Sequence, residues 1–201
     1  MMRKFLPVLI VLLAAFAHAE ARQETAQQRA IAAIEKLGGK VEYDEQTKRV
    51  VKVDLHNTKV TDGDLKNLEA LRELRWLDLR ITGVGDEGVT HLKKLKKLAF
   101  LNLFRTNLSD KGLAELKNLT GLETLLIGGT KVTDDGLKYV AKFSKLRKMS
   151  LFRTAVSDAG LKHLERLPSL KVLLISESQI TEEGAKSLQK VLTGLSFSEQ
   201  T

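Results

Sequence analysis

Asp54, His56, Asp78, Arg80 and Asn102 fall into a spacing that could do chemistry. His56 stands two positions after Asp54 and Arg80 two after Asp78, while Asp54, Asp78 and Asn102 are 24 positions apart. Alternate residues of a strand share a face, so on neighbouring strands these side chains converge. A histidine beside a carboxylate is a general base held in one orientation, and an imidazole with two carboxylates is part of a metal-ligand set. Only one histidine belongs to the group, however, and the constant spacing leaves no long loop to close a pocket over it. His91 and His163 share one position of a helix elsewhere, and His18 lies near the N-terminus. A salt-bridged surface is the better reading of the cluster, since exposed ion pairs are common and contribute little. No catalytic residue, metal ligand or cofactor is assigned.

The same outward positions carry a second set of a different kind: Trp76, Phe100, Phe104, Arg105, Leu126, Phe152, Arg153, Val172 and Leu174. Contiguous apolar surface marks a partner site, and Trp, Phe and Arg are the types that dominate interface energetics. Phe104, Gly128 and Phe152 occupy one position at the 24-residue spacing, and Arg105, Gly129 and Arg153 the next. With strands about 4.8 Å apart, the two Phe-Arg pairs are expected about 10 Å apart across bare backbone. Such a gap is either a slot for one inserted side chain or a glycine over which the two rings lean. The candidate binding set is Trp76, Phe100, Phe104, Arg105, Leu126, Gly128, Phe152 and Arg153.

These residues are positioned by a repeat. The stretch from Leu98 to Gly121 begins Leu-Ala-Phe-Leu-Asn-Leu, and the same pattern restarts at Val50, Leu74, Leu122, Leu146 and Leu170 without insertion. Leu101 and Leu103 alternate on one strand face. Ser109-Asp110 reads as a helix start, with a hydroxyl cap followed by a carboxylate at the positive end of the helix dipole. Leu113, Leu116 and Leu119 give the helix an apolar stripe. One unit cannot bury both leucine faces, so copies must stack and their strands form a parallel sheet.

Residues 50–193 resemble the leucine-rich repeat family, matching L-x-x-L-x-L-x-x-[N/C]-x-L in six copies when Val and Met stand for Leu. The T/S-D-x-G-L tail is similar to the cysteine-containing class and to 24-residue repeats of bacterial secreted proteins. The resemblance implies an α/β, right-handed horseshoe solenoid with the sheet on its concave face and helices on its convex face. It also implies protein binding through the concave sheet. Where the family has Asn or Cys, this chain has Thr58, Thr82, Thr106, Thr130, Thr154 and Ser178. A hydroxyl ladder bonding the loop backbone of neighbouring repeats is expected in its place. The recurring Gly88, Gly112, Gly136, Gly160 and Gly184 suggest close approach between repeats, whereas repeat one places Gly63 before Asp64.

Ahead of the repeats, residues 1–19 read as a secretory signal: a basic start, an apolar run from Phe5 to Phe16 and a small-x-small cleavage site at Ala17-His18-Ala19. Export to the periplasm, cell envelope or exterior is the expectation, with Arg3 and Lys4 lost from a formal charge of +8. The chain has no cysteine, which excludes disulfides, thiolate metal sites, Cys nucleophiles and a lipidated Cys anchor. Residues 20–49 read as a helix and hairpin that cap the sheet edge. Residues 194–201 read as a tail in which Leu195 and Phe197 can close the core. The helix faces are rich in cations, densest at His91–Lys97. That face is an alternative site for anionic envelope polymer or lipid headgroups, although solvated lysines account for it more simply. Export and the lack of a nucleic-acid-binding motif argue against nucleic acid.

Overall fold

The computed structural model describes residues 26–198. The signal reading of residues 1–19 and the final residues 199–201 lie outside the described residues. Helix α1 (residues 26–36) ends at Gly38, whose φ of 83° gives the left-handed turn that glycine takes most readily. Strands β1 (Lys40–Tyr43) and β2 (Val50–Asp54) then form an antiparallel hairpin. Ala30 and Ile34 on α1 are buried in the same core as the repeats.

From β2 onward every pairing is parallel and in strict order. Strands β3 (Trp76–Asp78), β4 (Phe100–Asn102), β5 (Thr124–Leu126), β6 (Lys148–Ser150), β7 (Val172–Leu174) and β8 (Ser196–Phe197) complete an eight-stranded sheet. The register repeats with the sequence: Lys52 stands beside Trp76, then Phe100, Thr124, Lys148, Val172 and Ser196. Of residues 194–201, expected as a tail, Leu195 is buried and Ser196–Phe197 extends the sheet.

The return segments are α2 (Asp86–Val89), α3 (Asp110–Leu116), α4 (Asp134–Val140), α5 (Asp158–Leu164) and α6 (Glu182–Val191). In repeat one the segment is instead a 3₁₀ helix over Asp62–Ala70, and α2 continues as a 3₁₀ turn over Thr90–Lys94. Leu98, Leu101, Leu103, Leu108, Leu113, Leu116 and Leu119 have no exposure at all. Each fully buried leucine is worth roughly 1.5–3 kcal/mol against an exposed one, so stacking supplies most of the stability. No helix among the described residues is long and apolar enough to cross a membrane.

The hydroxyl ladder takes a different form from the one expected. Thr58, Thr82, Thr106, Thr130, Thr154 and Ser178 each donate to the carbonyl three residues earlier in their own repeat, at 2.5–2.8 Å. A hydroxyl one bond from Cβ has one proton and a short reach, so it closes the turn of its own chain and not that of a neighbour. Repeats are tied by aspartates instead. Asp86, Asp110, Asp134 and Asp158 each accept the backbone N–H and the hydroxyl of the Ser or Thr that caps the next helix. Asp62 accepts the N–H of Gly85 at 2.6 Å.

This ladder accounts for the recurring glycine. A Cβ on Gly88, Gly112, Gly136, Gly160 or Gly184 would collide with the ladder aspartate of the preceding repeat. At Gly63, by contrast, nothing lies within 4 Å. There Asp64 takes the place of the missing carboxylate: its Oδ2 accepts the N–H of Thr61 at 2.8 Å and the Thr61 hydroxyl at 2.7 Å.

Candidate functional site

The outward face of the sheet and of the turns that follow its strands carries four columns of side chains, one residue per repeat in each. The first holds Lys52, Trp76, Phe100 and Thr124. Trp76 and Phe100 stack with centroids 4.8 Å apart and planes 9° from parallel, and the Lys52 ammonium lies 4.6 Å from the Trp76 ring centroid. Neighbouring strands in this register start the two side chains about 4.8 Å apart, and both rings take rotamers that stack face to face across that spacing. Each half-buries the other, and neither stands free in water.

The second column ends the strands and carries Asp54, Asp78, Asn102, Leu126, Ser150 and Leu174. Asp54, Asp78 and Asn102 each accept the backbone N–H two residues ahead, at 2.9–3.1 Å. This local turn is the commonest use of Asp and Asn at a strand end. Asp78 and Asn102 are buried, and the Asn102 amide donates to Asp78 Oδ2 at 3.2 Å. Sequence placed these two on an open surface; close packing between neighbouring strands covers them.

In the third column His56 Nδ1 lies 2.6 Å from Asp54 Oδ1, and Arg80 Nε 3.5 Å from Asp78 Oδ2. Burial raises the Asp54 carboxyl, but hydrogen bonds from the His56 ring and backbone outweigh it and hold Asp54 below its ordinary value. The cluster is therefore a histidine–carboxylate hydrogen bond, one Arg–Asp ion pair and turn bonds. Among the described residues no group of three or more His, Asp or Glu side chains is placed to hold a metal ion.

Phe104, Gly128 and Phe152 continue the third column. The two rings lean inward to 6.1 Å between centroids at 40°. They also press on the glycine, where an added Cβ would lie 3.1 Å from Phe104 Cδ2 and 2.9 Å from the Phe152 carbonyl oxygen. The expected gap of about 10 Å is thus closed. Two rings facing bare backbone bury more surface by meeting over it than by standing apart.

The backbone conformation of the fourth column was not legible in the sequence. Asn57, Ile81, Arg105, Gly129, Arg153 and Glu177, again 24 residues apart, all have φ between 50° and 66°. Their residue types share nothing, so no pattern marks the position as left-handed. The turn folds Arg105 and Arg153 back over their own neighbours, with guanidinium carbons 5.2 Å from the Phe104 ring centroid and 6.0 Å from that of Phe152. Arg153 also pairs with Glu177 at 2.8 Å; Arg105 has no carboxylate partner among the described residues. A groove of about 440 Å³ runs beside these columns, lined by His56, Asn57, Arg80, Ile81, Asn102, Phe104 and Leu126.

The eight candidate residues therefore divide. Trp76 and Phe100 form one aromatic platform, Phe104, Arg105, Gly128, Phe152 and Arg153 another, and Leu126 lies in the groove. On the opposite face the densest cations are largely paired across repeats: His91 and Lys94 with Glu69, Lys93 with Glu115, and Lys97 with Glu73.

No family model matches the sequence, and no curated protein matches it. Solved structures do. An internalin (inlF) of Listeria monocytogenes superposes with a TM-score of 0.60 at 20% identity over 71% of this chain. The fold is that of a leucine-rich-repeat solenoid. Internalin C2 of the same organism matches over 85% of this chain and 92% of its own length, with a TM-score of 0.50 and 20% identity. The chain spans 38% of the length of the first internalin. As in other right-handed solenoids of this kind, the parallel sheet lines the concave side and the helices the convex side.

Proposed function

We propose that this protein is a non-catalytic scaffold that binds a protein or peptide on its concave sheet, in the cell envelope or outside the cell. The observation that carries the reading is the continuity of the outward columns: they carry two aromatic platforms, Phe104 of the second lines a groove, and Arg80, Arg105 and Arg153 stand beside them. Half-buried rings beside guanidinium groups are the composition of an interface centre, and they present large rigid area at low entropic cost. In the densest cation cluster of the convex face Lys93, Lys94 and Lys97 are already paired with carboxylates, which leaves fewer free charges there for an anionic polymer. The apolar start of the chain supports export.

The test is capture from the native envelope fraction at low salt and in about 1 M NaCl, where screening acts beyond about 3 Å. Wild-type protein should retain its partner in salt, and Trp76→Ala with Phe100→Ala should lose it. Capture that collapses in salt yet survives both substitutions would move the contact to the lysines of the convex face.

A further inference from the structure

Ile81 is the residue that the fold alone does not explain. Its φ of 56° places a β-branched side chain in the left-handed region, where Cβ crowds the following carbonyl. Asn57 fills the same position one repeat earlier without that penalty, and Gly129 does so two repeats later. Burial does not compensate, because Ile81 is 45% exposed. Strain of this kind persists at ligand clamps, where the side chain's use lies outside the fold.

The surroundings say what that use is. Ile81 stands at the groove, with the Phe104 ring and Leu126 as its apolar neighbours. Arg80 borders the same space and is loosely held, since the carboxylate 3.5 Å from its Nε is already engaged by the Arg80 N–H and the Asn102 amide. Arg105, one repeat on, has no acidic partner among the described residues. Ile81, Phe104 and Leu126 form the apolar part of the groove lining, Arg80 stands in its wall, and the Arg105 guanidinium lies 5.2 Å from the Phe104 ring that lines it. That arrangement is complementary to an apolar side chain with a carboxylate beside it.

Building on the concave-face reading, we infer that this groove seats one aliphatic or aromatic side chain of an extended partner segment whose neighbouring Asp or Glu pairs with Arg80 or Arg105. Ile81 is the clamp of that seat. Its strained conformation holds an apolar surface against the partner where Asn or Gly would leave a hole.

The experiment selects a random peptide library displayed on phage against the folded protein, then titrates the enriched sequences as synthetic peptides. Enriched peptides should carry an apolar residue within two positions of an acid. Ile81→Asn should weaken them by about tenfold or more while raising Tm, because in the free protein relief of the left-handed strain outweighs the packing lost from a side chain that is 45% exposed. Arg80→Gln should weaken them and flatten the salt dependence. An Ile81→Asn variant that melts lower and binds unchanged would make Ile81 a packing residue and overturn the inference, as would a selection that enriches nothing. Peptides lost with Trp76→Ala or Phe152→Ala but not with Ile81→Asn would remove the groove and leave the concave-face reading standing. Peptides indifferent to all of these changes would remove both.

Discussion

Asp110 holds Thr133 with both carboxylate oxygens, one on the backbone N–H at 2.8 Å and one on the hydroxyl at 2.7 Å. The two residues are 23 positions apart and belong to successive repeats. Neither bond exists within a single unit, so the contact forms only when repeats stack. Asp110→Ala should destabilise the protein by about 1–3 kcal/mol, the range for a part-buried donor left without its acceptor. Asp110→Asn should cost less, because its carbonyl oxygen can still take the N–H. Urea unfolding of the two variants checks the order; equal losses would mean that charge and not hydrogen bonding carries the contact.

Glycine substitution should discriminate by position. Gly136→Ala drives a methyl into Asp110 and should lose roughly 1–3 kcal/mol, the usual penalty of overpacking. Gly63→Ala meets empty space and should gain up to about 1 kcal/mol from reduced chain entropy. Thermal melts in which both changes destabilise alike would contradict the inter-repeat account of the glycine.

The meeting of Phe104 and Phe152 over Gly128 should appear as coupling. Either change to Ala should lose about 1–2 kcal/mol, given half-buried rings. Their double-mutant cycle should return roughly 0.5–1.5 kcal/mol of interaction. Strict additivity would mean that the rings stand apart in solution and that the gap over Gly128 is open.

Acid should loosen the last joint of the solenoid. The hydroxyl and backbone N–H of Thr181 hold the Asp158 carboxyl below its ordinary value. A carboxylate depressed in the folded state contributes fully above its unfolded pKa of about 3.9, and the contribution is lost as pH falls through the lower folded value. Tm should therefore drop more steeply between about pH 5 and pH 3 in wild-type protein than in Asp158→Asn. Parallel curves for the two proteins would exclude this linkage.

Sequence carried the fold because its period is enforced by packing: Leu101, Leu103 and Leu113 must be apolar wherever they recur, and all three are fully buried. The site was legible only in part. Trp76 and Phe100 could be placed on one face by alternation, and the constant 24-residue period sets them side by side on neighbouring strands. The rings over Gly128 were open to two outcomes, since residue spacing fixes where side chains start and not where they lean. Thr130 pointed to a hydroxyl bond but not to its partner, Ile127 of its own repeat. Ile81 escaped altogether, because left-handed φ is a property of the turn and its residue type argues against it.

Asp64 gives the stack a direction. Along the repeats, each interface presents carboxylates toward the next unit and N–H donors toward the previous one, so the two ends of any segment are chemically unlike. A cut that bares carboxylates leaves groups that water solvates readily; a cut that bares the donors leaves amides seeking an acceptor. By exchanging the order of Gly and Asp, repeat one supplies that acceptor from within and fills the space into which a preceding carboxylate would have to fit. It is a terminator in the polymer sense, closed to addition on one side and competent on the other. Repeats can thus be duplicated or deleted behind it without disturbing the closed end, whereas a copy of repeat one placed mid-array would split the solenoid at that joint.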